Sequence, residues 1–134
     1  MVNKFTILLF AAAATTLIAG ILHINRFIDT ISNGEQIVNP DILFLVGGIA
    51  QVFWIIPIIR QWGKIWYFIG IAGTAVFMLL WIITRLPENP ITGRAGPISG
   101  EGIILQIFQI AFLILSIIIL IKSTKSKNIR IKDT

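Results

Sequence analysis

The residues of this sequence that could do chemistry are polar side chains that lie at the ends of apolar runs or within them. His23 follows the first apolar run, Arg85 follows the third and Glu101 precedes the fourth. A neutral imidazole binds metals and transfers protons near neutral pH. Pairing of Arg85 with Glu101 would lower the cost of removing either charge from water. Three amides, a type that bonds between helices in lipid, lie deeper in the runs: Gln51, Gln106 and Gln109.

The sequence lacks the residues that a metal site or a catalytic site needs. A transition-metal site takes three or four protein ligands, and His23 is accompanied only by loosely spaced carboxylates: Asp29, Glu88 and Glu101. The sequence has no cysteine, no phosphate-binding loop and no nucleophile set beside a base and an orienting acid. A hydrogen-bonded or interfacial histidine is the favoured interpretation. The sequence therefore predicts no catalytic residue, no metal site and no cofactor.

Four apolar runs must position these side chains. They cover residues 5–22, 42–59, 65–84 and 103–121, each 18 to 20 residues long and free of charge. A helix of about 20 residues crosses a hydrocarbon core of ~30 Å. The first run is longer than the apolar part of a signal peptide, so we expect a retained helix. The predicted fold is a single all-α, integral membrane four-helix bundle over residues 1–134, with helices at about 5–23, 41–60, 64–85 and 101–122.

Composition and charge agree with this fold. Apolar residues make up 56% of the chain and charged residues 13%, which excludes a disordered chain and an ordinary water-soluble fold. With the N-terminus in the cytoplasm, eight of the eleven bases face inward, and Arg26, Arg85 and Arg94 lie outside with five of the six acids. Because cytoplasmic segments carry the excess of Lys and Arg, both termini are predicted to be cytoplasmic in a multi-pass protein of the plasma membrane.

The segments outside the runs differ in character. Residues 60–64 form a tight turn, which predicts an antiparallel hairpin of the second and third helices. The loop at 86–100 holds three prolines and three glycines. It is either a functional or docking surface or a plain connector, and both remain open. The basic tail, 123–134, is expected to lie against anionic lipid headgroups, and its lack of interleaved aromatic residues argues against a nucleic-acid partner.

Helical spacing collects the small and polar residues of each run on one face. These faces are Ala12, Thr16, Ala19, Gly20 and His23; Gly47, Gln51 and Trp54; Gly70, Thr74, Trp81 and Arg85; and Glu101, Gln106 and Gln109. Small residues let backbones approach closely and amides bond across helices, so these faces are predicted to point into the bundle. His23, Arg85 and Glu101 would then surround the mouth of an outward-facing polar funnel with an amide-lined interior.

Two residues of the second run bear on the interior of the funnel. Gln51 lies near mid-membrane and is expected to bond with Gln109 or Thr74, either as a link between helices or as part of a permeation path. Pro57 is predicted to kink the helix and to free the carbonyl of Phe53.

The pattern as a whole resembles a known type of protein. It combines a histidine at the end of the first helix, Gly47-Gly48-x-x-Gln51, Trp81-x-x-x-Arg85 and an acid opening the fourth helix. Over residues 20–110 this resembles a widespread family of small, uncharacterised four-helix membrane proteins of prokaryotes. That family often has a second histidine and a second acid, where this chain has Phe27 and either Gln106 or Gln109. The resemblance implies a four-helix bundle, and these departures argue against a metal-binding role here.

The composition suggests a second resemblance. The Ile-rich, cysteine-free chain with a short Lys-rich tail is similar to small membrane proteins of ammonia-oxidising archaea. Several of those look like accessory subunits of ammonia monooxygenase, a copper membrane enzyme. This resemblance implies a scaffold beside catalytic subunits, which would not itself hold copper.

Two functions follow as hypotheses. The first is a non-catalytic structural or accessory subunit of a larger membrane complex, such as an archaeal ammonia monooxygenase, with the lipid bilayer and other integral membrane subunits as partners. The second is a carrier or channel for a small molecule or ion that uses the polar funnel. One four-helix bundle has little room for a pore, so this function requires a homo-oligomer. A membrane enzyme is disfavoured, because His23 alone cannot supply both axial ligands of a bis-histidine haem.

Overall fold

The computed structural model describes the backbone of residues 3–132 and the side chains of residues 3–123. Five helices follow one another: α1 (Lys4–Ser32), α2 (Asn39–Phe53), α3 (Ile55–Ile59), α4 (Lys64–Ile83) and α5 (Gly100–Lys132). No residue between 3 and 132 is in a strand. Four segments are long and apolar enough to cross a membrane: Lys4–Ser32, Asn39–Ile59, Lys64–Ile83 and Gly100–Ser123. The all-α class and the four apolar spans are confirmed, while the cytoplasmic termini and the choice of membrane stay predictions.

The first helix extends beyond its predicted end. It continues for nine residues past His23, to Ser32, because no glycine or proline interrupts it. The Asn33-Gly34 turn then ends it: Gly34 has a φ of 67°, and the N–H groups of Asn33, Gly34 and Glu35 bond to carbonyls of the last turn. His23 therefore lies within the helix, with about 14 Å of helix beyond it.

The second span is broken at Trp54. Pro57 has no N–H to bond the carbonyl of Phe53, and its ring would clash with that carbonyl. α2 therefore ends at Phe53, the chain turns through Trp54, and α3 begins at Ile55. The helix is interrupted one turn before Pro57, as the loss of the Phe53 bond predicts, while the kink itself stays a prediction. A short turn with positive φ at Gln61 and Gly63 then leads into α4.

α1 is the central helix of the bundle. It packs against α2, α3 and α5, and α4 packs mainly against α5. The small residues of its predicted face are buried: Ala12, Thr16, Ala19 and Gly20. At the crossing of α1 and α2, a Cβ built on Gly48 would lie 2.8 Å from the carbonyl oxygen of Gly20. Only glycine permits this backbone contact, which sets the distance between the two helices.

Aromatic rings gather at the end of the bundle beside the 60–63 turn. Trp54 packs against Gly70 and donates its indole N–H to the carbonyl of Trp66 at 3.1 Å. Phe53 and Trp62 pack on the same cluster. The adjoining apolar core is formed by Leu9, Ala12, Ala13, Ile58, Tyr67, Phe112 and Ile119.

The last helix, α5, runs through much of the predicted tail. Its backbone is helical to Lys132, whereas the sequence placed the end of the helix near residue 122. The side chains of the predicted basic tail lie outside the described residues apart from Ser123, so their contact with headgroups stays a prediction.

Candidate functional site

The predicted outer half of the bundle contains a cavity of about 200 Å³, which we call the polar cavity. His23, Arg26 and Asp29 of α1 line it together with Arg85, which follows α4, and Glu101 of α5. The three elements meet there because α5 packs against both α1 and α4. His23, Arg85 and Glu101, which the sequence predicted at one level, are therefore brought to one cavity.

His23 is the most enclosed side chain of this cavity, with 3% of its surface exposed. Its ring packs against Phe44 and Phe77, with centroids 5.5 Å and 5.6 Å away. Its Nε2 lies 3.1 Å from the amide nitrogen of Gln109. An amide NH₂ group only donates, so in this orientation Nε2 of His23 accepts and the ring proton is on Nδ1. That Nδ1 is buried and has no hydrogen-bond partner.

Arg85 is held by its neighbours on the chain. Its Nη1 donates to Oγ1 of Thr84 at 2.8 Å, and its guanidinium lies 4.8 Å from the centre of the Trp81 ring. Its buried Nε has no partner. Burial, and then the charge of Arg26, lower the pKa of Arg85 below its usual value.

The predicted ion pair between Arg85 and Glu101 is absent from the described part of the chain. Both side chains line the polar cavity, but no salt bridge joins them. Glu101 is exposed at the start of α5, as is Asp29 near the end of α1. The helical pattern brought both residues to one cavity, but it does not determine how far apart two side chains lie across that cavity.

A smaller cleft of about 50 Å³ adjoins the polar cavity. Gln106 lines it with His23, Trp81 and Arg85. The amide nitrogen of Gln106 and the indole nitrogen of Trp81 are buried without partners, as are Nδ1 of His23 and Nε of Arg85. Buried polar groups almost always have a partner, so these four unpaired groups are the ones that a bound water or solute would satisfy.

Gln51 lies apart from this group. It lines an inner cavity of about 100 Å³ with Thr16 and Thr74. Its backbone carbonyl accepts a hydrogen bond from Thr16 at 3.0 Å, and its side-chain oxygen is buried without a partner. The predicted bond to Gln109 or Thr74 is not formed, because Gln109 is turned towards His23.

Phe77 separates the inner cavity from the outer ones. It lines both the inner cavity and the cleft beside His23. Its ring occupies the space beside Gly47, where an added Cβ would lie 2.6 Å from Cζ of Phe77. The polar funnel predicted from the sequence is therefore interrupted by an aromatic ring at this level.

The 86–100 loop covers a wider space, of about 740 Å³, which we call the outer vestibule. Arg26, Arg85 and Arg94 line it, and none of its described lining residues is acidic. Arg26, Arg85, Phe44 and Ser99 belong to both the vestibule and the polar cavity, so the two spaces adjoin.

The loop is ordered around the side chain of Asn89, which is 4% exposed. Its amide nitrogen donates to the carbonyls of Leu86 and Arg94, at 3.0 and 2.9 Å. Its amide oxygen accepts from the N–H groups of Ile91 and Thr92, at 3.1 and 2.8 Å, and from the Thr92 hydroxyl. The loop is therefore a structured segment, and the choice between a functional surface and a connector stays open.

Sequence reasoning missed three residues of the site: Arg26, Phe77 and Asn89. Arg26 follows His23 by three residues, so helical spacing was a usable signal for its position on the same face. Phe77 follows Thr74 by three residues, so helical spacing also places it on the polar face of its helix. This signal is weaker, because many of its neighbours are apolar too. Asn89 stands before Pro90 in a loop, and no sequence pattern predicted the burial of its side chain.

Comparison with known proteins returned no relative. No family model matches the chain, no curated protein is significantly similar to it, and no solved structure matches its fold. Both resemblances drawn from the sequence therefore stay predictions. Within the described residues, no group of three or more His, Cys, Asp or Glu side chains is placed to hold a metal ion.

Proposed function

We propose that this chain is a multi-pass membrane protein that binds a small polar solute in the polar cavity and carries it across the membrane. The proposal is carried by the four buried, unpartnered groups around that cavity and its cleft. In a bilayer such groups cost free energy unless water or a solute bonds to them. A cavity of about 150 Å³ holds a molecule as large as benzene, so a space of this size accommodates a small solute.

A carrier fits the arrangement better than an open channel. Phe77 stands between the outer cavities and the inner cavity, so the described residues form no open pore at this level. A solute that leaves the polar cavity for Gln51 must first displace this ring. Passage then depends on a conformational step, which is the defining property of a carrier.

Transport is tested with the purified protein in lipid vesicles. Swelling is followed by light scattering with glycerol, methylammonium chloride, sodium acetate and sodium phosphate as probes. The proposal expects uptake of at least one probe, its loss in Gln51→Leu and its persistence in Gln36→Leu, an exposed control in the 33–38 segment. Uptake no faster than in protein-free vesicles for every probe would refute the carrier.

Access to the cavity is tested in the natural cysteine-free background. Ser99→Cys lines the polar cavity, Thr74→Cys lines the inner cavity, and Ile107→Cys is an exposed apolar control on α5. A charged, membrane-impermeant thiol reagent should modify Cys at 99 rapidly and Cys at 74 slowly. Adding Phe77→Ala should speed the reaction at 74. Equal rates at 99 and 107 would refute a water-filled cavity.

An accessory subunit of a larger membrane complex is the second candidate, and the exposure of α4 favours it. Only 17% of that span is buried within the chain, against 28% to 33% of the other three spans. The face of α4 that is turned away from the rest of the chain presents large apolar side chains, among them Ile65, Phe68 and Leu79. The archaeal ammonia monooxygenase suggested by the sequence is one such complex.

The second candidate is tested by the native mass of the protein extracted in mild detergent. Co-migration with other membrane chains in fixed stoichiometry would support the subunit. Charged substitutions at Phe68 and Leu79 should then release the chain from the complex, while Ile107→Lys on α5 should not. A homo-oligomer without other partners would leave the carrier as the better account.

A further inference from the structure

The unpartnered groups around the polar cavity and its cleft share one chemical property: all four are hydrogen-bond donors. Trp81 Nε1, Arg85 Nε and the amide nitrogen of Gln106 can only donate. In the orientation in which Gln109 donates to Nε2 of His23, Nδ1 carries the ring proton and is a donor as well. Among the described residues, the buried unpartnered groups that can accept belong to Gln51, Gln109 and Ser116, and none of these lines the two spaces. A molecule that satisfies the outer site must therefore present acceptor atoms.

The charge of the approach to this site has one sign. Arg26, Arg85 and Arg94 are the three bases that the predicted topology leaves outside, and all three line the outer vestibule. Two acids, Asp29 and Glu101, line the polar cavity but not the vestibule, and both are exposed. Two arginines and two acids line the polar cavity, and Arg26 is as exposed and as screened as the acids, so the attraction for an anion comes from the half-buried Arg85, from Arg94 in the vestibule and from the buried donors.

Among the described residues, none forms an ion pair with Arg85. Burial lowers the pKa of Arg85, and the like charge of Arg26 lowers it further. Arg85 and Arg26 line the same cavity, so their like charges repel each other there. A bound anion would remove this repulsion and would also accept from the unpaired Nε.

We propose that the polar cavity and outer vestibule form a binding site for a small oxyanion, a carboxylate or phosphate group, held by Arg85, Arg26, His23 and Trp81. This inference rests on the proposed function, since it names the class of solute that the carrier would take. The planar guanidinium of Arg85 and the N–H groups of His23 and Trp81 supply directional donors, and Arg94 guides the anion from the loop side. Either a free anion or the phosphate of a lipid headgroup supplies this chemistry.

Binding is measured by calorimetric titration of the purified full-length protein in an uncharged detergent. The probes are sodium phosphate and sodium acetate, with glycerol as a neutral comparison, all at constant ionic strength. Arg94→Gln should weaken binding of both anions severalfold, because the lost charge reduces the attraction that guides the anion from the loop side. The Arg94 side chain takes no part in the loop's hydrogen bonds, which use its carbonyl, so this variant should keep the loop intact. Arg60→Gln, on the turn at the other end of the bundle, is the matched control.

Two further variants test whether anion binding weakens or strengthens as the proposed site predicts. Arg85→Lys keeps the charge but loses the planar fork and should weaken anion binding more than Arg60→Gln does. Glu101→Gln removes a carboxylate from the cavity wall and should strengthen binding severalfold, an effect opposite in sign to that of the arginine variants. A purely structural role of Arg85 and Glu101 would not produce opposite signs.

A second experiment, with lipids, distinguishes a free anion from the phosphate of a lipid headgroup. Thermal unfolding is compared in nanodiscs of phosphatidylcholine and in nanodiscs that also contain phosphatidylglycerol. Binding of free phosphate or acetate that depends on Arg94 supports a free anion. Arg94-dependent stabilisation by phosphatidylglycerol without binding of free anions supports a headgroup. Absence of both, or an equal loss in Arg60→Gln, overturns the oxyanion site. Gln51-dependent uptake of glycerol or methylammonium in that case would leave the carrier itself standing.

Discussion

The contact between Gly20 and Gly48 gives the sharpest prediction for stability. A Cβ at Gly48 would lie 2.6 Å from Cγ1 of Ile24 and 2.8 Å from the carbonyl oxygen of Gly20. The Ile24 side chain can rotate away, but the Gly20 oxygen belongs to the backbone of a packed helix. Gly48→Ala therefore forces α1 and α2 apart by several tenths of an ångström. Carbon atoms pack best at about 3.5–4.0 Å, so the separation also costs dispersion along the crossing.

The size of the effect follows from two opposing contributions. Overpacking a tight interface costs about 1–3 kcal/mol, and the backbone contact places this site near the upper end. Alanine is a better helix former than glycine by about 1 kcal/mol, which offsets part of that cost. We expect Gly48→Ala to lower the free energy of unfolding by about 2 kcal/mol.

Gly73→Ala is the matched control, because a Cβ at Gly73 has nothing within 4 Å. The same substitution there should be neutral or raise the unfolding free energy by up to about 1 kcal/mol. Unfolding is followed by circular dichroism as sodium dodecyl sulfate is added to mixed micelles. If Gly48→Ala and Gly73→Ala prove equally stable, the proposed contact between the two backbones is wrong.

The remaining predictions concern three polar side chains. Asn89→Ala should loosen the 86–100 loop and raise its rate of proteolysis, with the helical content unchanged, because five hydrogen bonds are lost. Asp41→Ala should lower the unfolding free energy by about 1 kcal/mol, because its carboxylate accepts from the N–H of Val38 at 2.9 Å. Ser116→Ala should leave stability unchanged or raise it by up to about 1 kcal/mol, because the buried Ser116 hydroxyl has no partner.

Each of these substitutions has a matched control substitution in the same chain. Asn89→Asp keeps the acceptor but loses the donor, so its loop should be cut at a rate between those of wild type and Asn89→Ala. Glu35→Ala changes an exposed acid near Asp41 and should not affect stability. Ser123 donates to the carbonyl of Leu120, so Ser123→Ala should be less favourable than Ser116→Ala. A reversed order in any of these pairs would contradict the assigned contacts.

Part of the site followed from helical spacing alone. The small stripe from Ala12 to His23 is buried as predicted, and His23, Arg85 and Glu101 reach the same cavity. Spacing along one helix determines which side chains share a face, because the helical repeat is constant. It does not determine the distance between faces of different helices. The predicted bond of Gln51 to Gln109 and the predicted ion pair of Arg85 with Glu101 failed for that reason.

The sequence by itself determined the number of spans, the buried stripe of α1 and the break caused by Pro57. These depend on local properties, namely hydropathy, the helical repeat and the missing N–H of proline. Only the tertiary structure decided that Gln109 bonds His23 and that three distant arginines share one vestibule. These outcomes depend on how α1, α2, α4 and α5 are rotated and spaced, which packing such as the contact of Gly20 with Gly48 determines.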